Sequence, residues 1–172
     1  MRTIGRFILG AMVILAAAPA AAGQIGFLDA ERAVIQVQES KSEFQVLEQW
    51  ATPRRDRIEQ LKGQAAELSQ RLAAQRNTAS PEALAQLDRD LVQVQRELED
   101  MVRAFNRDLA AKRDALLGEL SAKLMTVAGE YAEANGYDAV FLLGAHAVAY
   151  YSKSLDVTDT VIRLYDERHP VN

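Results

Sequence analysis

The strongest constraint on this chain is a pair of apolar stripes separated by a short turn. Ile58, Leu61, Ala65, Leu68 and Leu72 recur at alternating steps of three and four, and so do Leu84, Leu87, Leu91, Val94, Leu98 and Met101. Charged and Gln side chains fill the positions between. This is the a/d spacing of a coiled-coil seam. A stripe so narrow suits two helices lying against each other, not the centre of a globule. Between the stripes runs Arg76 to Glu82. Ser80 is placed to accept a hydrogen bond from the free N–H groups that start the second helix. Pro81 falls at the first helical position, where its missing N–H is harmless. Glu82 sets negative charge at the positive end of the helix dipole. A connection this short makes the arms antiparallel. At 1.5 Å per residue they predict rods of about 50 and 80 Å.

Two features interrupt the first arm. Pro53 predicts a kink or a fresh helix start near Thr52. Arg54 stands where the heptad would carry an apolar residue, and Arg55 and Arg57 follow it. Gly63, Gly118 and Gly129 lie inside the arms, either to let them bend or because close packing or simple tolerance accommodates them.

Outside the arms the pattern changes. Gln24 to Asp29 reads as a short strand and Ala30 to Gln38 as a short helix, with Val34 and Val37 facing inward. Asn135-Gly136 ends the long second arm, Gly136 suiting the left-handed position after a helix. Ala139 to Leu143 and Ala147 to Tyr151 read as two further strands, and Asp156 to Asp166 as a closing helix. The expected fold class is α+β and mostly α. A coiled-coil hairpin, 41–135, is inserted in a small β-rich body formed by 23–40 and 136–172. Such a body has a small core and unpaired strand edges. It is therefore expected to join several copies through Ile25, Phe27, Val140, Leu142, Val148 and Tyr150, with the hairpins projecting.

Residues 1–22 predict a cleaved export signal. Arg2 and Arg6 precede an apolar run of about a dozen residues, too short to span a bilayer, and Ala20-Ala21-Ala22 supplies small residues for cleavage. No integral span is expected after cleavage. The net charge of −4 becomes more negative once those two arginines are removed, and there is no cysteine to cross-link in an oxidising compartment. An acidic chain argues against nucleic acid as a partner.

Machinery for catalysis is not expected. The sequence has no glycine-rich phosphate loop. Its two histidines, His146 and His169, are too few and too poorly spaced for a zinc site. No serine sits in a nucleophile setting. Acid pairs such as Glu99-Asp100 read as a solvated helix face. The expectation is a non-enzyme with no cofactor and no metal.

The export signal, the strand, the Gln/Glu/Arg/Leu-rich hairpin, Asn135 to Val140, Ala147 to Ser152 and Leu155 to Ile162 together resemble the Skp (OmpH-like) family of periplasmic chaperones. The Pro53-Arg54-Arg55 run is similar to one found in many OmpH-like members. The resemblance covers the whole mature chain, and its C-terminal part is the more specific. It implies a homotrimer with a β-rich body and three helical tentacles around a cavity. It further implies an ATP-independent periplasmic holdase for unfolded outer-membrane proteins. The alternative is an envelope spacer that uses the same coiled coil to bridge partners. Basic tentacle tips and lipopolysaccharide binding are not carried over: from Lys62 to Asp100 there are five basic and seven acidic residues. The Arg54, Arg55, Arg57 cluster is the candidate client-binding site, its competing reading being a solvated or inter-helix ion-pair face.

Overall fold

The computed structural model describes residues 23–144 and 148–171. The leader, His146 and the first residue of the expected third strand, Ala147, lie outside the described residues.

The element order is β1 (Gln24–Leu28), α1 (Ala30–Gln36), α2 (Gln38–Gln75), α3 (Pro81–Ala134), β2 (Tyr137–Leu142), a single 3-10 turn (Lys153–Leu155) and α4 (Thr158–Arg168). Two long helices of 38 and 54 residues dominate the chain. They lie side by side, and the residues met on α3 descend as α2 ascends. Glu39 bonds Lys123, Trp50 stacks on Phe105, and Arg57 pairs with Glu97. Every stripe position read from the sequence, from Ile58 to Leu72 and from Leu84 to Met101, is buried or half-buried, while most positions between them are exposed. At the tip the Ser80 hydroxyl accepts from the Ala83 N–H at 3.2 Å and Pro81 opens α3. At the far end Gly136 adopts φ +69°, which lets the chain leave α3 without a Cβ clash.

Pro53 does not start a new helix: α2 runs through it. The proline is exposed, so the carbonyl it leaves without a partner is on the water side. The neighbouring carbonyls each take a side-chain donor. Thr52 Oγ1 donates to Glu48 O at 2.9 Å, and Arg54 Nη1 to Trp50 O at 2.7 Å. The helix break occurs earlier, at Val37, whose ψ of 147° separates α1 from α2 while its side chain stays buried.

The core gathers where the two chain ends meet the base of the arms. Leu28 of β1, Ala33 and Val34 of α1, Leu120, Leu124 and Val127 of α3, and Val161 and Tyr165 of α4 pack together. Among the described residues the sheet has two strands, β1 and β2, paired in parallel with Gly26 opposite Val140, Phe27 opposite Phe141 and Leu28 opposite Leu142. The hairpin is thus the crossover between them. Gly26 sits at a close approach: a Cβ there would meet the Tyr137 ring at 3.1 Å, so a larger residue would need the ring to shift.

Over its described residues the expected third strand is not formed. Val148 to Tyr151 has no strand pairing, and the chain returns to the sheet only where Asp156 bridges Phe27 and the Val157 N–H reaches Phe27 O at 2.9 Å. An alternating apolar pattern becomes a strand only when its backbone finds a partner. Here the edge of β1 at Phe27 is taken by Asp156 and Val157, not by Val148 to Tyr151.

Candidate functional site

Two surfaces stand out, one on the sheet and one midway along the arms. On the sheet, alternation sends Gly26 and Leu28 of β1 towards the core and Ile25 and Phe27 away from it. Phe27 stacks on Phe141 at 5.8 Å and against Tyr151 at 4.9 Å. This outward face is uncovered: Ile25 is 39 % exposed and Phe141 42 %. Of the residues expected to join copies, Ile25 and Phe27 belong to this side, and Tyr150 is exposed in the segment that follows, outside any strand. Val140 and Leu142 instead pack against the protomer's own core, and Val148 is half-buried outside any strand.

The arginine run is split by its partners. Arg55 is bonded to Glu48 on the same helix, with Nη2 to Oε2 at 3.2 Å. This pairing holds the Glu48 carboxyl below the usual carboxylate range. Arg57 crosses to Glu97 on α3 at 2.8 Å. Arg54 lies over the Trp50 ring, its guanidinium carbon 4.2 Å from the ring centroid. The three arginines therefore have three different partners: one acid on the same helix, one acid on the other arm and one indole.

The sequence reading missed the aromatic pair beside them. Trp50 and Phe105 stack nearly parallel at 6.0 Å across the stretch where the heptad lacks an apolar residue. Lys112 Nζ lies 5.2 Å from the Trp50 ring centroid. A lone tryptophan among Gln and Glu is the only sequence signal that pointed here.

At the base of the arms a polar knot ties α2 to α3 and α4. Glu39 accepts from Lys123 Nζ at 2.7 Å and from the Tyr165 hydroxyl at 2.5 Å. Asp166 Oδ1 accepts from the Gln38 N–H at 2.8 Å, satisfying a free donor at the start of α2. Burial pushes the Glu39 carboxyl up, but the bonds from Lys123 and Tyr165 outweigh it and hold it below its ordinary value. Burial, aided by Glu39, pushes the Tyr165 phenol up. A second knot closes α1 on α4. Arg32 reaches Asp159 at 2.8 Å and Asp156 at 3.5 Å, and Asp29 accepts from the Arg32 N–H at 2.9 Å.

Among the described residues no group of three or more His, Asp or Glu side chains is arranged to hold a metal ion. None of their helices is long and apolar enough to cross a membrane.

Comparison with known proteins agrees with this architecture. No curated protein sequence matches the chain. Among solved structures it is similar to an OmpH-like protein of Caulobacter crescentus CB15, described as a candidate outer membrane chaperone. The TM-score is 0.73 at 16 % identity, over 91 % of this chain and 92 % of that one. At that identity the likeness speaks for the fold. The family described as outer membrane protein (OmpH-like) matches residues 24–165, which takes in both strands, both arms and most of α4. The chain belongs to the OmpH-like family.

Proposed function

We propose that this protein is an ATP-independent holdase of the periplasm, which binds unfolded outer-membrane β-barrel proteins and keeps them from aggregating before insertion. The observation that carries the reading is a family match that spans arm and body together. A match to the arms alone would say no more than coiled coil. The solved OmpH-like protein that shares this fold is itself described as a candidate outer membrane chaperone.

The physics supports the same reading. Unfolded barrel strands carry alternating apolar residues and aggregate in water. A protein that binds the unfolded chain lowers its free concentration with no energy source. Several arms joined at one hub hold such a chain by effective concentration, without a specific pocket. In this reading α2 and α3 form an antiparallel coiled-coil tentacle, and three copies join through the aromatic face of Ile25, Phe27 and Phe141 and through Tyr150. The unpaired edge of β2 and the unpaired Val148 to Tyr151 segment would find strand partners in neighbouring copies. The base of α3 from Leu116 onward belongs to the body, because its side chains line the core. Chaperone, periplasmic location and trimer stand together here: the hub gives the arms a common enclosure, and the enclosure gives them a client.

The test is dilution of a denatured outer-membrane β-barrel into buffer, with and without this protein, followed by light scattering. Suppression at stoichiometric amounts without nucleotide is expected. Scattering unchanged by the protein would contradict the holdase and favour the envelope spacer.

A further inference from the structure

The stretch of hairpin around Trp50 differs from the rest of both arms. Among the described residues Val46 is the one large exposed hydrophobic side chain on α2 and α3, at 55 % exposure. It lies one helical turn before Trp50, which is only half-buried. A groove of about 370 Å³ opens between the arms here, lined by Val46, Trp50 and Lys112 among others. The three cation–π contacts of the described residues all fall in this stretch: Arg54 and Lys112 on Trp50, and Arg55 on Phe105.

Elsewhere on the arms Lys62, Arg71, Arg103 and Lys123 have acidic partners, while Lys41, Arg89, Arg96 and Arg113 have none among the described residues. Among the described residues neither Arg54 nor Lys112 has a carboxylate oxygen within 4 Å either, but these two lie on the indole face, Arg54 also donating to the Trp50 carbonyl. A ring orients a cation without neutralising it. Two positive charges thus flank an accessible indole and valine, with Glu43 alone on the rim carrying an acid without an ion-pair partner among the described residues. A purely structural clamp across the hairpin would need neither the exposed valine nor two uncompensated cations.

Building on the holdase reading, we propose that this patch is a client-contact site that takes an extended, unfolded segment in which aromatic or aliphatic residues stand next to carboxylates. The apolar side chains lie on Val46 and Trp50, and the carboxylates pair with Arg54 and Lys112. Charge complementarity selects acidic over basic segments, and the indole selects apolar over purely polar ones.

Trp50 is the only tryptophan of the chain, so its fluorescence reports the site directly. The probes are three tryptophan-free synthetic peptides. One alternates Phe, Tyr or Val with Asp or Glu; the second replaces the acids by Lys; the third is acidic without apolar residues. The first should shift Trp50 emission and bind about fivefold or more tighter than the other two, as two weak cation–π-oriented charges allow. R54Q together with K112Q should abolish that preference, and R54K together with K112R should restore it, with far-UV circular dichroism unchanged in both. No response of Trp50, equal binding of acidic and basic peptides, or equal binding of the apolar-free peptide would overturn the site. Failure of the holdase is separate: peptide selectivity at Trp50 without suppression of barrel aggregation removes the chaperone and leaves the site. Suppression of aggregation with a silent Trp50 does the reverse.

Discussion

Glu39 is where three helices are fastened, and its behaviour should be measurable. Its carboxylate takes one bond from Lys123 and one from Tyr165, whose side chain is fully buried. Tyr165→Phe removes the hydroxyl and keeps the ring, so it should lower stability by about 1.5–3 kcal/mol, the range for a hydrogen bond to a charged group. Chemical denaturation at fixed protomer concentration checks this. The pH dependence follows from the direction of the shift. Because folding lowers the Glu39 pKa, its contribution is fully present above the ordinary carboxyl value of 4.5 and is lost as pH falls through the folded value. The stability gap between wild type and Glu39→Gln should therefore narrow in acid below about pH 4.5. None of these partnerships was legible in the sequence. Glu39 and Tyr165 are 126 residues apart, and no local pattern links a glutamate at a helix start to a tyrosine in the last helix. An inter-helix ion pair was one reading of the arginine run, but its partner was not legible for a similar reason: Glu97, which takes Arg57, lies 40 residues away on the other arm.

At the scale of elements, what is local was legible and what needs a partner was not. The seam, the Ser80-Pro81 start of α3 and the Gly136 exit are set by neighbours in sequence, and each stands where its residue types place it. Ser80→Ala should cost about 1 kcal/mol by removing the bond to the Ala83 N–H, read as earlier hydrogen exchange at the tip. The glycines inside the arms are a sharper case. Nothing lies within 4 Å of a Cβ built at Gly63, Gly118 or Gly129, so close packing does not account for them. Replacing each by Ala should stabilise by about 0.5–1 kcal/mol, seen as a rise in melting temperature. A fall at any of them would mean that another surface packs there in solution. Of the two outcomes expected at Pro53, the fresh helix start does not occur, because a mid-helix proline on the water side loses one backbone bond whose carbonyl, that of Gln49, solvent can satisfy. The segment ending at Tyr151 was misjudged because strand propensity describes a side-chain pattern, whereas a strand also needs an unoccupied neighbour.

For the whole molecule, the decisive feature is imbalance. Two helices of 38 and 54 residues rest on a core of about a dozen buried side chains, and the sheet beside that core leaves an aromatic face open to water. Covering that face in an assembly would remove apolar area from water and give the arms a common base. Phe141→Asp places a charge in the middle of it, away from the protomer's own core, and should shift the assembly to single copies while leaving the helical content intact. The measurement that tests the account most directly is the mass, by light scattering on a sizing column, of the species formed when a denatured outer-membrane β-barrel is diluted into this protein. The account predicts one soluble species with the mass of three copies plus a single barrel chain. Single copies eluting alone, with the barrel lost as aggregate, would contradict both the hub and the holding role.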